Sequence, residues 1–123
     1  MQYRNLGSSN LKVSALCLGT MMFGDQTEQG EAQRIVAHAH EHGVNFLDTA
    51  DVYTSGASEA MLGPLIKAHR HDWVLATKLG NKMSERVNES HYSRAWMLRE
   101  LESSLRRLQT DHVDIYYLHR DFN

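Results

Sequence analysis

Four side chains in this sequence are of the types that move a proton and hold the charge left behind: Asp48, Tyr53, Lys78 and His119. A phenol in water titrates near pH ~10, so a tyrosine is a poor acid unless a cation stands beside it to stabilise the phenolate. Lys78 supplies that cation, and Asp48 and His119 add a carboxylate and an imidazole. Their spacing suggests a common destination. Asn45-Phe46-Leu47-Asp48, Trp73-Val74-Leu75-Ala76-Thr77-Lys78 and Val113-Asp114-Ile115-Tyr116-Tyr117-Leu118-His119 are short apolar runs, each closing on one of the four, and Tyr53 follows Asp48 closely enough to fold back over the same strand end. The carboxyl ends of parallel strands are where α/β folds bind ligands.

The elements that must carry these residues follow in order. Residues 2 to 6 and 11 to 13 flank the turn-forming Gly7-Ser8-Ser9-Asn10, which predicts a hairpin over residues 2–13 covering one end of the core. Ser14 to Leu18 reads as the first buried strand, running into Gly19-Thr20-Met21, where the missing Cβ of Gly19 lets a backbone or a flat ligand come close. Thr27 is the expected cap of a first helix with Ala32, Ile35, Val36 and Ala39 on its apolar face and Gly43 at its end. Ser55 or Ser58 is the expected cap of a second, whose stripe is Met61, Leu62, Leu65 and Ile66 and which Pro64 should kink or shift. After Lys78 comes a long polar loop, Leu79 to Tyr92, placed to lie over the site. Ser93 then caps a helix with Leu98, Leu101, Leu105 and Leu108 at helical spacing.

The order is hairpin, then strand–helix–strand–helix–strand–helix–strand, and the apolar runs do not alternate, as expected of strands buried on both faces. This is a parallel α/β pattern of four units, each of about 30 to 40 residues, with strands ending near Gly19, Asp48, Lys78 and His119.

Composition narrows the function classes. The 123 residues, 41% of them hydrophobic, suffice for one core, so residues 1–123 are expected to form a single domain. A net charge of -2 gives no footprint for nucleic acid or a membrane surface, which leaves a small molecule or a protein as partner. The amino terminus has no hydrophobic leader core and no run approaches a membrane span, so a cytoplasmic protein is expected. Cys17 lies among apolar neighbours and reads as a buried, inert thiol. His38, His40 and His42 fall near a helix end where only His38 and His42 share a face, so they read as a solvated terminus and not a metal site. Gly19 to Gly24 lacks the lysine and hydroxyl of a phosphate loop, no GxGxxG follows a strand, and no lysine stands four residues after Tyr53. Trp96, Tyr116 and Tyr117 are expected in packing roles. Arg120 and Asp121 fit a substrate contact or a plain loop equally.

With these residues placed, the sequence resembles the amino-terminal half of an aldo-keto reductase. Leu18-Gly19-Thr20-Met21, Asp48-Thr49-Ala50-Asp51-Val52-Tyr53, Ala57-Ser58-Glu59, Ala76-Thr77-Lys78, Ser104-Leu105-Arg106-Arg107-Leu108 and Leu118-His119 all match, and the Gly-Thr-Met motif with a Leu-His-Arg ending resembles the bacterial and potassium-channel β-subunit branch. The resemblance implies a (β/α)₈ TIM barrel that reduces an aldehyde or ketone to an alcohol with a nicotinamide cofactor, usually NADPH. It implies Tyr53 as general acid, Lys78 as the group that stabilises its anion, Asp48 as the holder of Lys78, and His119 as the residue that orients the carbonyl. Gly19, Thr20, Met21 and Asp48 would lie against the cofactor.

Length is the departure from that pattern. A full barrel takes ~250 residues and builds its phosphate site after strands seven and eight. This chain, a truncated barrel on that reading, stops just past strand four and leaves sheet edges and an inner face exposed, for which a homodimer through the half-barrel face is the expected remedy. The alternative is a non-catalytic half-barrel that serves as an interaction module.

Overall fold

A computed structural model of the chain describes residues 1–122. β1 (Tyr3–Asn5) and β2 (Lys12–Ser14) pair antiparallel, with Tyr3 opposite Ser14. The other four strands, β3 (Cys17–Gly19), β4 (Phe46–Asp48), β5 (Val74–Leu79) and β6 (Ile115–Leu118), form one parallel sheet in the order β3-β4-β5-β6. Three helices connect them: α1 (Gln29–Glu41), α2 (Ala57–Ile66) and α3 (Arg94–Leu108). This alternation is the parallel α/β pattern expected from the sequence, and it is that of a partial (β/α) barrel, the fold that the resemblance implies.

The hairpin is pinned to the amino end of the sheet by Asn45, the residue before β4. Its side chain accepts from the Ser14 amide at 2.7 Å and donates to the Lys12 carbonyl at 3.0 Å, and Tyr3 donates to the Gly43 carbonyl at 2.8 Å.

The core lies between the helices and one face of the sheet. Leu47 and Leu75 from the strands meet Ala32 and Val36 of α1, Leu62 and Ile66 of α2 and Leu108 of α3, all buried. Each fully buried leucine or isoleucine here contributes about 1.5–3 kcal/mol by leaving water. At the crossing of α2 and α3, a Cβ on Gly63 would stand 2.6 Å from the backbone of Leu108, so only glycine permits this approach.

Several expectations are corrected. The sheet is buried on both faces only at its centre, where Val74, Leu75, Ala76 and Thr77 of β5 are all buried; partners in a parallel register share a face, and on the one bearing Gly19, Asp48, Lys78 and Tyr117 the edge-strand residues Cys17, Gly19 and Tyr117 are exposed. Cys17, on that face of an edge strand, is therefore exposed rather than buried. Local packing, and then the nearby Asp48 charge, push its thiol up to about 11, so it is protonated at neutral pH. The first parallel strand starts at Cys17 because Ser14 belongs to β2.

Thr27 does not cap α1; it bridges to Phe23, and Glu28 precedes the helix without a side-chain cap. Neither Ser55 nor Ser58 caps α2. Gly56, at φ 97, occupies that position, and Ser58 lies buried within the first turn. Pro64 sits exposed in the last turn of α2, just before the chain tightens into a 3₁₀ segment over Lys67–Asp72.

Ser93 does cap α3, accepting from the Trp96 amide at 3.2 Å, but the buried face is Trp96, Glu100, Ser104 and Leu108. Of the leucine stripe only Leu108 is buried, Leu101 and Leu105 are half-buried and Leu98 is 51% exposed, because ion pairs draw the polar side of α3 inward.

Candidate active site

Asp48 ends β4 and Lys78 is the penultimate residue of β5, so both stand at the carboxyl rim on the open face. Tyr53 arrives over them through a 3₁₀ turn, Tyr53–Gly56, that forces Thr54 and Ser55 into left-handed backbone at φ 49 and 53. Such strain costs on the order of 1 kcal/mol per residue and marks a turn whose geometry is held by its surroundings.

The Lys78 ammonium donates to Asp48 Oδ2 at 2.7 Å, to the Thr49 carbonyl at 2.8 Å and to the Tyr53 oxygen at 3.1 Å. An ammonium has three protons, and here all three are engaged. Because the Tyr53 oxygen accepts from Lys78, its own O–H remains free to point away from the lysine. Burial works against the Lys78 charge, but the bonds to Asp48 and Tyr53 outweigh it and raise its pKa above the ordinary lysine value. The lysine is thus fixed as a cation.

His119 follows β6 directly, its amide donating to the Leu79 carbonyl at 2.9 Å. Its ring stands edge-on to Tyr53 with centroids 6.0 Å apart. Burial, and then the positive Lys78, lower its pKa, which keeps the imidazole neutral at pH 7. Its Nδ1 is buried with no hydrogen-bond partner. All four candidate residues therefore meet at one rim.

Gly19, Thr20 and Met21 border a pocket of ≈ 340 Å³ that Asp48 and Tyr53 also line. A Cβ on Gly19 would meet nothing within 4 Å, so the strand end opens onto free space. Met21 is exposed at its mouth. Thr20 differs: its hydroxyl is 3.1 Å from the Asp48 carbonyl and 3.2 Å from Ser58 Oγ, which in turn donates to the Thr20 carbonyl at 2.7 Å. Thr20 and Ser58 thus tie the ends of β3 and β4 together from behind the site.

The long loop after β5 packs against the segment carrying His119. The Tyr92 hydroxyl donates to the Arg120 carbonyl and accepts from the Arg120 amide at 3.0 Å, and His91 stacks on Phe122. Sequence reasoning missed Asp51 and the network of Glu59, Glu100 and Arg107 behind the rim. No local spacing in the sequence announces it, since Glu59 and Arg107 are 48 residues apart and meet only in the fold.

Fold and site together describe part of a (β/α) barrel that carries, at its rim, a tyrosine beside a lysine–aspartate pair. The aldo/keto reductase family model matches residues 15–123, and the chain belongs to that family, one of oxidoreductases. It is 43% identical over 122 residues to the Bacillus subtilis protein named "Uncharacterized oxidoreductase YqkF", covering 97% of this chain and 39% of that one. It is 40% identical to the Arabidopsis thaliana protein named "Probable voltage-gated potassium channel subunit beta", over 98% of this chain and 38% of the relative. The solved structure of the aldo-keto reductase AKR11C1 from Bacillus halodurans, in its holo form, superposes with a TM-score of 0.83 at 43% identity, over 96% of this chain and 40% of that one. The chain therefore spans about two fifths of the length of these relatives. Among the described residues no helix is long and apolar enough to cross a membrane.

Proposed function

We propose that this chain carries the proton-transfer half of a nicotinamide-dependent carbonyl reductase, with Tyr53 as the general acid, a small aldehyde or ketone as substrate and NADPH as the reductant. The observation that carries the reading is the complete engagement of the Lys78 ammonium by Asp48, Thr49 and Tyr53. When bound, the reduced nicotinamide would supply the hydride that makes the carbonyl an alkoxide. Tyr53 delivers its free proton to that oxygen. Lys78, already donating to the phenol oxygen, stabilises the anion left on Tyr53, and Asp48 keeps Lys78 in place. Neutral His119 orients the carbonyl oxygen beside Tyr53. Gly19, Met21 and Asp48 would hold the nicotinamide end of the cofactor in the open pocket. Positioned proton transfer of this kind contributes on the order of 10² to 10⁴ in rate.

Edge strands β3 and β6, with the open sheet face between them, need cover. We propose a second copy of the chain as that cover, closing the face as a homodimer. Sedimentation of the purified chain checks this, and a stable monomer at micromolar concentration would contradict it. A non-catalytic half-barrel that serves as an interaction module is the competing reading. NADPH titration followed by fluorescence separates the two: saturable quenching supports the reductase, and none up to millimolar cofactor supports the module. If Tyr53 is the acid, Tyr53→Phe abolishes carbonyl reduction and leaves cofactor affinity nearly unchanged. Parallel loss of both would remove Tyr53 from that role.

A further inference from the structure

At the amino end of the sheet, away from the proposed active site, two histidines and an aspartate from separate segments come together. His40 lies in the last turn of α1, and His69 and Asp72 lie in the 3₁₀ segment before β5. His40 Nε2 is 2.8 Å from Asp72 Oδ2, His69 Nδ1 is 3.7 Å from the same oxygen, and the three donor atoms lie within 4.8 Å of one another. The two imidazoles stack with centroids 4.8 Å apart and planes 24° apart.

From this convergence we propose a divalent transition-metal site, with His40 Nε2, His69 Nδ1 and Asp72 Oδ2 as ligands and water completing the shell. Zn²⁺ is the metal whose chemistry fits. The two imidazoles are borderline nitrogen donors that favour it over Mg²⁺ or Ca²⁺, and a carboxylate is an accepted third ligand of zinc. Tetrahedral zinc with bonds of ~2.0–2.2 Å sets its ligand atoms roughly 3.3–3.5 Å apart. The two distances to Asp72, 2.8 and 3.7 Å, bracket that spacing, and seating the ion requires the stacked imidazoles to turn so that the lone pairs in their ring planes converge on it.

The backbone beneath is already rigid. Arg70, between His69 and Asp72, donates to the Trp73 carbonyl at 2.9 Å, to the His112 carbonyl at 3.0 Å, to Thr110 Oγ1 at 3.1 Å and to Asp114 Oδ2 at 3.0 Å. On the other side, the Trp73 ring stands 5.5 Å from His40. A pocket of ≈ 260 Å³ bordered by His40, His69, Trp73 and Glu41 leaves room for the bound water. The ion would clamp the end of α1 to the segment that leads into β5.

Calorimetric titration of the full chain with ZnCl₂ tests the site, with Co²⁺ absorption reporting ligand geometry. One equivalent is expected to bind, with a rise in melting temperature that EDTA reverses. His69→Ala, an exposed position, is expected to weaken binding on the order of tenfold or more with an unchanged circular dichroism spectrum. The double variant His38→Ala/His42→Ala removes the neighbouring imidazole pair, whose rings are 4.2 Å apart, and should bind as wild type does. Binding that survives His69→Ala, loss in the double variant, or no saturation up to millimolar zinc would each overturn the proposal.

Discussion

Thr77 and Lys78 are neighbours on β5, yet they face two charge systems built from the same chemistry. On the open face, Lys78 is one ammonium matched by one carboxylate, Asp48, with a phenol alongside. On the helix face, Thr77 donates to Glu59 Oε1 at 2.6 Å, and Arg107 donates to Glu59 Oε2 at 2.6 Å and to Glu100 Oε1 at 2.8 Å. Asp51 lies fully buried beside this network with neither carboxylate oxygen hydrogen-bonded. Two carboxylates thus share one guanidinium, with a third carboxyl group beside them. Burial first, and then Glu100 and Glu59, push the Asp51 carboxyl up to about 8, which keeps it protonated at neutral pH. The contrast shows what location does to an ion pair. At the rim, the charges balance and a phenol proton faces outward, where a reacting oxygen can take it. Behind the sheet, Thr77 and Arg107 spend their bonds to Glu59 and Glu100 on joining α2, α3 and β5.

The largest expected effect follows from the closed side. Arg107→Met removes the guanidinium and leaves Glu59 and Glu100 buried without a counter-charge, a loss of about 3–5 kcal/mol. Domains of this size hold roughly 5–15 kcal/mol in total, so the variant should melt in little urea or fail to show a cooperative transition. A urea midpoint equal to wild type would break the comparison by making the network dispensable.

The open side was the more legible of the two in the sequence. Asp48, Lys78 and His119 could be placed because each closes an apolar run, and a run's carboxyl end is a fixed location in a parallel sheet. Ser93 was readable for a similar local reason, since a cap acts within its own first turn. The closed side was hidden because buried charges look like surface charges until their partners are known. Glu59 and Arg107 are 48 residues apart. For the same reason the leucine stripe of α3 misled: spacing reports an apolar face but not which neighbour claims the helix. Cys17 misled because apolar neighbours along a strand say nothing of whether the strand is at an edge. His40 and His69 meet only through the tertiary fold, and no local spacing announces them.

Asp51 gives a smaller effect with a sign that can be worked out. The unfolded chain releases this proton near the ordinary value of 3.8, while the folded chain keeps it to about 8. Between those limits the folded state binds more protons, so this group's contribution to stability falls as pH rises through the window. Asp51→Asn, which keeps the shape without the charge, should flatten that decline and be more stable than wild type at pH 8.5. Urea midpoints measured from pH 4.5 to 8.5 decide it, and parallel curves for the two proteins would show that Asp51 is not the group involved.

The smallest effect sharpens the comparison at adjacent positions. Thr77→Val leaves the buried Glu59 Oε1 without its donor, at a cost of about 1–3 kcal/mol. Lys78→Met removes a cation from a part-buried pair, the lysine 14% and the Asp48 side chain 29% exposed, but water can reach the carboxylate left behind, so its stability cost should be the smaller, about 1 kcal/mol. The functional effects should run in the opposite direction. Lys78→Met takes away the charge that stabilises the Tyr53 anion and should remove carbonyl reduction, whereas Thr77→Val touches no group at the rim and should keep it as long as the protein is folded. If Lys78→Met proved the more destabilising of the two, the rim pair would be a structural tie after all, and the division between the two faces of β5 would fail.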